Sequence, residues 1–395
     1  MNKYIFILGL VVMAFVSGCT SDDLTMAISP EEERALIVEA SQDSDVPITL
    51  GVGSSHGVTR KPIESGVGDI FSTEEGKYLG VFCLATGTQS NVANIPSEIS
   101  ANKWVKDDAT GLLVRLSNVP AKVEDGDVKF VDPANTSNPK HYYYPMINWM
   151  TYNFYAYYPR ENDSNIKFTT GGSGALVRYI IINGSQDVIW GKAHPETAVP
   201  VSDTEIDDAD PYCAKYTRLK KAEGAAIDDY YPKLEFEHLL AQFKFSVEPE
   251  NAAAWTAIST AGGMSITNMY VSNAISNLQL IVANKKNPET EGTLSKKDDT
   301  TENLYIKANG KDYNLFSSTP SGDQVSSIDI AATSVTVPGY IMLPPSGVGT
   351  EDYELCLEYS IGGTPHAGPM KVKLVPPSGG FKAAQVYNIV VKVKL

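Results

Sequence analysis

Past residue 18 the chain has no apolar run near the roughly 20 residues that a membrane-spanning helix needs, so no internal transmembrane helix is expected. Cysteine is scarce. Beyond Cys19 there are only Cys83, Cys213 and Cys356, widely spaced and odd in number, and Cys83 and Cys356 sit inside apolar runs. That argues against a disulfide framework and for buried free thiols. Positive charge is in deficit. The 32 lysines and arginines face 47 acids, for a net charge of −15. Such a surface repels nucleic acid, which is therefore not expected as a partner. Catalytic patterns are missing too. The five histidines, His56, His141, His194, His238 and His366, include no pair at ligand spacing, and neither HExxH nor CxxC occurs. Gly171-Gly172-Ser173-Gly174-Ala175 lacks the last glycine of a nucleophile elbow. Asp203, Glu205, Asp207, Asp208 and Asp210 crowd one loop without the central glycine and closing glutamate of a calcium loop. The expectation is a protein with no cofactor, no metal and no enzymatic activity.

What is present begins at the N-terminus. Lys3 precedes a run of apolar and aromatic residues from Tyr4 to Val16, broken only by Gly9, and Ser17-Gly18-Cys19 follows. The run is too short to span a bilayer and reads as a secretory signal. Its small-Gly-Cys ending resembles the lipobox of bacterial lipoproteins, in which the cysteine is acylated and becomes the first mature residue. Residues 1–18 are thus expected to be a signal peptide, with Cys19 lipidated and the protein held to the membrane through lipid. Thr20-Ser21-Asp22-Asp23 resembles the surface-export signal of Bacteroidetes lipoproteins, which places the expected product on the outer membrane facing outward. Residues 19–45 form an acidic tether or pro-segment, in which Arg34 is the one basic residue. Ser29-Pro30-Glu31-Glu32 resembles a helix start, so a short helix near 30–40 is open.

From Val46 the signals are strands and turns. Val46, Ile48, Leu50 and Val52 alternate on one face, and Pro47, with no N–H to donate, marks this as an edge strand. Tyr78–Ala85 is continuously apolar and reads as a central strand. Further strands are expected at 112–116, 128–131, 152–158 and 177–182, with 187–193 a short strand or turn. In 152–158 alternation sends Tyr152, Phe154, Ala156 and Tyr158 to one face and Asn153, Tyr155 and Tyr157 to the other; core and inter-strand packing of these rings is the expectation, with an exposed sugar platform on one face as the alternative. Residues 200–229 are polar and lack periodicity, so the domain boundary is placed near 230. The second part reopens with 234–247 and ends on Tyr387, Ile389, Val391, Val393 and Leu395, which alternate to the last residue. This final strand is either one that closes its own domain or one donated to a neighbour. Many short strands between turns argue for all-β sandwiches, in units 46–230 and 231–395.

Several of these segments, in order, resemble the fimbrillin (Mfa-like) family of Bacteroidetes surface pilins. They are the lipobox at Cys19, the early strand followed by Thr59-Arg60, Gly80-Val81-Phe82, the aromatic stretch Tyr152–Pro159, Asp187–Ala193, Leu234–Phe243, the strand at 339–343 and the closing Gln385–Val391. The resemblance implies two transthyretin-like Greek-key β-sandwiches in tandem and a pilus assembled by strand exchange. It also implies cleavage after an arginine by an arginine-specific protease. Arg60 is the expected site, with Arg34 the rival. Cutting at Arg60 would release the strand carrying Val46, Ile48, Leu50 and Val52 and open a groove for a neighbouring subunit. Other fimbrial subunits are then the implied partners, with host protein or glycan as a further one. The chain shows no obvious spare strand beyond 387–395, which opens a tip or anchor subunit as the alternative to a stalk subunit. The rival class is a non-catalytic glycan-binding surface lipoprotein, using exposed tyrosines or Trp104, Trp149, Trp190 and Trp255.

Overall fold

The computed structural model describes residues 42–53, 77–85, 113–124, 126–146, 151–168, 174–193, 212–225, 231–348 and 353–395. The fold is predominantly β, as the turn-rich alternation implies. The chain opens with β1 (Asp43–Pro47) and β2 (Leu50–Val52), then β3 (Leu79–Ala85), β4 (Val114–Glu124), β5 (Asp127–Asp132) and β6 (Asn135–Pro139). Next come β7 (Tyr143–Pro145), β8 (Tyr152–Tyr158), β9 (Ile166–Phe168), β10 (Ala175–Ile181) and β11 (Ile189–Ala193). Helix α1 (Ala214–Ala222) leads to β12 (Lys233–His238). An eight-stranded sheet runs β2-β12-β11-β8-β3-β4-β5-β6, and β2 also pairs with β5, so the sheet closes on itself. Its centre is β3 and β8, which explains why Leu79–Ala85 is buried along its whole length and lacks the alternation of a half-exposed strand.

The second half contains β13 (Ala241–Pro249), α2 (Ala252–Thr260), β14 (Met264–Ile275), β15 (Asn277–Asn284), β16 (Leu294–Lys296), β17 (Thr301–Tyr305) and β18 (Lys307–Ala308). It continues with β19 (Ile328–Asp329), β20 (Val335–Leu343), β21 (Tyr353–Ile361), β22 (Thr364–Pro365), β23 (Met370–Leu374) and β24 (Val386–Val393). One sheet runs β18-β20-β13-β24, and a second is built on β17-β14-β21. The apolar segment 234–247 is not one strand. It breaks at Leu239-Leu240, with β12 bonded to β11 in the first sheet and β13 bonded to β20 and β24 in another. Both pieces are apolar on the inward side, so hydropathy alone cannot reveal the break.

A third sheet, β16-β15-β10-β9, joins the halves through seven residue pairs between β10 and β15. Around it the Trp190 indole donates to the Val282 carbonyl at 2.8 Å, and the Lys192 ammonium meets Glu291 at 2.6 Å. The Tyr340 hydroxyl donates to the Ser185 carbonyl at 3.0 Å. One continuous apolar core results, running from Val46 to Val393. Two helices were not expected. α2 is capped by the Asn251 side chain, which accepts from the Ala254 N–H. α1 carries Lys220 and Lys221 in its last turn, where they complement the helix dipole. α1 lies in polar sequence, whereas α2 is alanine-rich but only nine residues long, too short for its periodicity to stand out.

Candidate functional site

The segment 43–52 closes the first sheet, and its geometry differs from a simple edge strand. β1 lies on β7, pairing Asp43 with Pro145 and Pro47 with Tyr143. The Ile48 N–H then donates to the Tyr142 carbonyl at 2.8 Å. β2 is bonded on both sides, parallel to β12 and antiparallel to β5. Edge character therefore holds for β1, where Pro47 sits, and fails for β2. The reason is local: after Thr49 the chain turns into the gap between β5 and β12, where both flanks offer free backbone groups. The Gly51 N–H donates to the Pro232 carbonyl, and the Val52 N–H to the Gly126 carbonyl, each at 2.9 Å.

Side chains lock the segment from both faces. Val46, Ile48 and Leu50 point inward and are 5%, 4% and 0% exposed, while Val52 is half-buried. Asp43, Asp45, Pro47 and Thr49 point outward. The outward acids are paired. Asp43 bonds the guanidinium of Arg115 on β4, and Asp45 bonds that of Arg218 on α1. Arg115 is itself fixed, since its Nε donates to the Tyr143 carbonyl at 2.9 Å. The Arg218 hydrogen bond and charge hold the Asp45 carboxyl below its ordinary titration range. Gly51 leaves room for the Tyr231 ring: a Cβ there would lie 2.5 Å from its Cε2, so a larger residue would turn that half-exposed ring aside. None of Asp43, Asp45, Arg115, Arg218 or Gly51 was singled out from the sequence. The one signal was the alternation of acids with Val46, which the acidity of the surrounding stem masks.

Cys19, Arg34 and Arg60 fall outside the described residues, as do Trp104 and Trp149. The C-terminal residues are placed. β24 runs parallel to β13, from Gln242 opposite Val386 to Pro249 opposite Val393. It is the outer strand of its sheet. Val391 and Val393 are buried, Tyr387 and Ile389 half-buried, and Leu395 exposed, so the inward alternation stops one step before the end. Tyr387 packs against Phe243 and Phe381, at ring separations of 5.4 and 5.0 Å.

The tyrosine-rich strand does not present a platform. On β8, Tyr152, Tyr155, Tyr157 and Tyr158 are all buried, because the crossing sheet covers the face that alternation left open. The Tyr155 hydroxyl donates to Glu291 at 2.9 Å and that of Tyr157 to Asn118 at 2.7 Å. Burial pushes the Tyr155 and Tyr157 phenols up. Trp190 is 9% exposed. His238 is buried and bonded through Nδ1 to the buried Asp187. Cys83, Cys213 and Cys356 are buried thiols. Among the described residues no group of three or more histidine, cysteine or acid side chains is placed to hold a metal ion.

No protein-family model matches the chain, and no curated protein sequence matches it significantly. Solved structures do. One, provisionally named a cell adhesion protein, comes from Bacteroides uniformis: it is 13% identical, with 88% of this chain and 93% of that one covered and a TM-score of 0.40. A fimbrial protein from Bacteroides ovatus is 11% identical over 89% of this chain and 49% of that one, at a TM-score of 0.31. The fimbrial anchor protein Mfa2 from Porphyromonas gingivalis is 12% identical over 84% and 82%, at 0.29. These three are fimbrial and cell-adhesion proteins of Bacteroidetes, as are members of the family that the sequence motifs resemble. At these scores the likeness carries no argument about individual residues.

Proposed function

We propose that the protein is a non-enzymatic fimbrial subunit, built of two transthyretin-like sandwiches. It is exported as a lipoprotein through Cys19 and assembles on the cell surface by strand exchange. The observation that carries this reading is the closing segment 43–52. It fills a slot in an otherwise complete sheet with three inward apolar side chains. Cleavage after Arg60 leaves this segment attached by noncovalent contacts only. Its departure bares the places of Val46, Ile48 and Leu50 and the unpaired edges of β5 and β12. An incoming strand restores both the ladder and the burial.

The C-terminal strand is already engaged. β24 pairs with β13 along its length and supplies Val391 and Val393 to its own core. With β24 held in its own sheet, the subunit acts as a strand acceptor at the slot, which suits a tip or anchor position in a fimbrium that supports adhesion. The test is mass and N-terminal sequence of the protein from native cell surfaces, beside an unheated non-reducing gel. A start at Lys61 in a high-molecular-weight species is expected, and an Arg60→Ala chain should remain unassembled. Normal assembly of that variant overturns the mechanism at Arg60. A start at Ala35 would move the cut to Arg34 and leave the segment 43–52 in place.

A further inference from the structure

We propose that the slot filled by residues 43–52 is coded for a strand from a different kind of chain, and that it rejects this chain's own C-terminal strand. The inference rests on the strand-exchange reading above and specifies the partner. Read from β1 to β2, the slot favours acid, a small polar residue where Ser44 is buried, acid, apolar, any, apolar, any, apolar and a small residue. Each position has its own cause.

The first acid faces Arg115, whose side chain is 12% exposed. Its Nε donates to the Tyr143 carbonyl at 2.9 Å, a contact that does not pass through Asp43. When the segment leaves, a half-buried guanidinium loses its carboxylate, and a charge in that setting demands replacement. The second acid faces Arg218 on the first helix. The three apolar positions are those of Val46, Ile48 and Leu50. The last position favours a small residue, since a larger one would have to turn the half-exposed Tyr231 ring aside.

The chain's own terminal segment meets none of the polar demands. Residues 385–395 contain no acid and no glycine, and they carry Lys392 and Lys394. Sliding the register or reversing the strand direction does not help, because the missing residue types are absent throughout. Two lysines beside two arginines are repulsive, and one charge mismatch of that kind is a device for refusing a wrong partner. Apolar alternation alone would have admitted it, since Tyr387, Ile389, Val391 and Val393 have suitable spacing. The partner is therefore an extended, acidic strand of another chain, and growth by identical copies is blocked at this slot.

The test uses the full chain with a specific protease site introduced between Gly53 and Lys77, so that both pieces are retained after cutting. Four peptides compete for the slot: residues 42–53, the same with Asp43→Lys and Asp45→Lys, the same with Gly51→Val, and residues 385–395. Native mass spectrometry reads which peptide is bound. The 42–53 peptide is expected to exchange in, with the lysine-substituted peptide and residues 385–395 at least about tenfold weaker and the Gly51→Val peptide weaker by less. A second chain carrying Arg218→Glu, an exposed position that leaves the core intact, is expected to favour the peptide with Asp45→Lys over the unaltered one. Exchange of residues 385–395 within about threefold of 42–53 would overturn the code while leaving the groove reading intact. No exchange of 42–53 itself would overturn the groove reading and the code together.

Discussion

At the residue scale the closing segment is held by a few positions that differ in kind. Leu50 is fully buried between two ladders, and Leu50→Ala is expected to cost about 2–5 kcal/mol, read as a lowered denaturation midpoint with an unchanged slope. Gly51→Val acts at the same place by volume: the added atoms push the half-exposed Tyr231 ring aside, for a smaller loss of about 1 kcal/mol. Asp312 binds the halves differently. Burial by itself would raise its carboxyl, but the Ser185 hydroxyl that donates to it and the ammonium groups of Lys77 and Lys307 outweigh that, so it titrates below its ordinary value. A depressed folded pKa stabilises above the unfolded value and stops doing so as pH falls through the folded one. Stability should therefore decline below about pH 4, and Asp312→Asn should flatten that acid limb in thermal melts taken across pH. An equally steep limb in the variant would assign the acid sensitivity to other carboxylates.

At the element scale β24 decides between two uses of a C-terminal strand. It pairs with β13 along its whole length and buries Val391 and Val393. A chain ending at Gln385 is expected to be insoluble or to melt far lower, because Phe243 and Phe381 lose their Tyr387 partner and the inner strand becomes an unprotected edge. A truncated chain that folds normally would mark β24 as a detachable donor. The strands themselves were largely legible from the sequence. Tyr152–Tyr158 and the 387–393 alternation were visible as periodic runs, since period-two patterning is a local property. What stayed hidden depends on distant partners. The break at Leu239-Leu240 separates two sheets that share one hydropathy pattern. The second face of β8 is covered by a sheet that arrives from the other half of the chain. The arginines facing Asp43 and Asp45 come from 72 and 173 residues away, a distance at which no spacing rule operates. Cys19, Arg34 and Arg60, though legible, lie outside the described residues.

At the scale of the whole molecule the β9-β10-β15-β16 sheet makes the halves interdependent. Seven pairs between β10 and β15, the Trp190–Val282 hydrogen bond and a single apolar core all cross between them. One calorimetric transition is therefore expected, with calorimetric and van't Hoff enthalpies in agreement. Two resolved peaks would mean that the crossing sheet is too weak to couple the halves. The direction of β24 has a mechanical meaning as well. Because it runs parallel to β13, a pull on Leu395 opposed at the start of β13 loads all eight residue pairs together in shear, where an antiparallel strand would unzip one pair at a time. A subunit tethered at one end and tugged at the other under flow would resist along its strongest axis. Single-molecule extension between residue 240 and the C-terminus should accordingly rupture at higher force than extension between residues 249 and 395, which peels the same pair apart from one end.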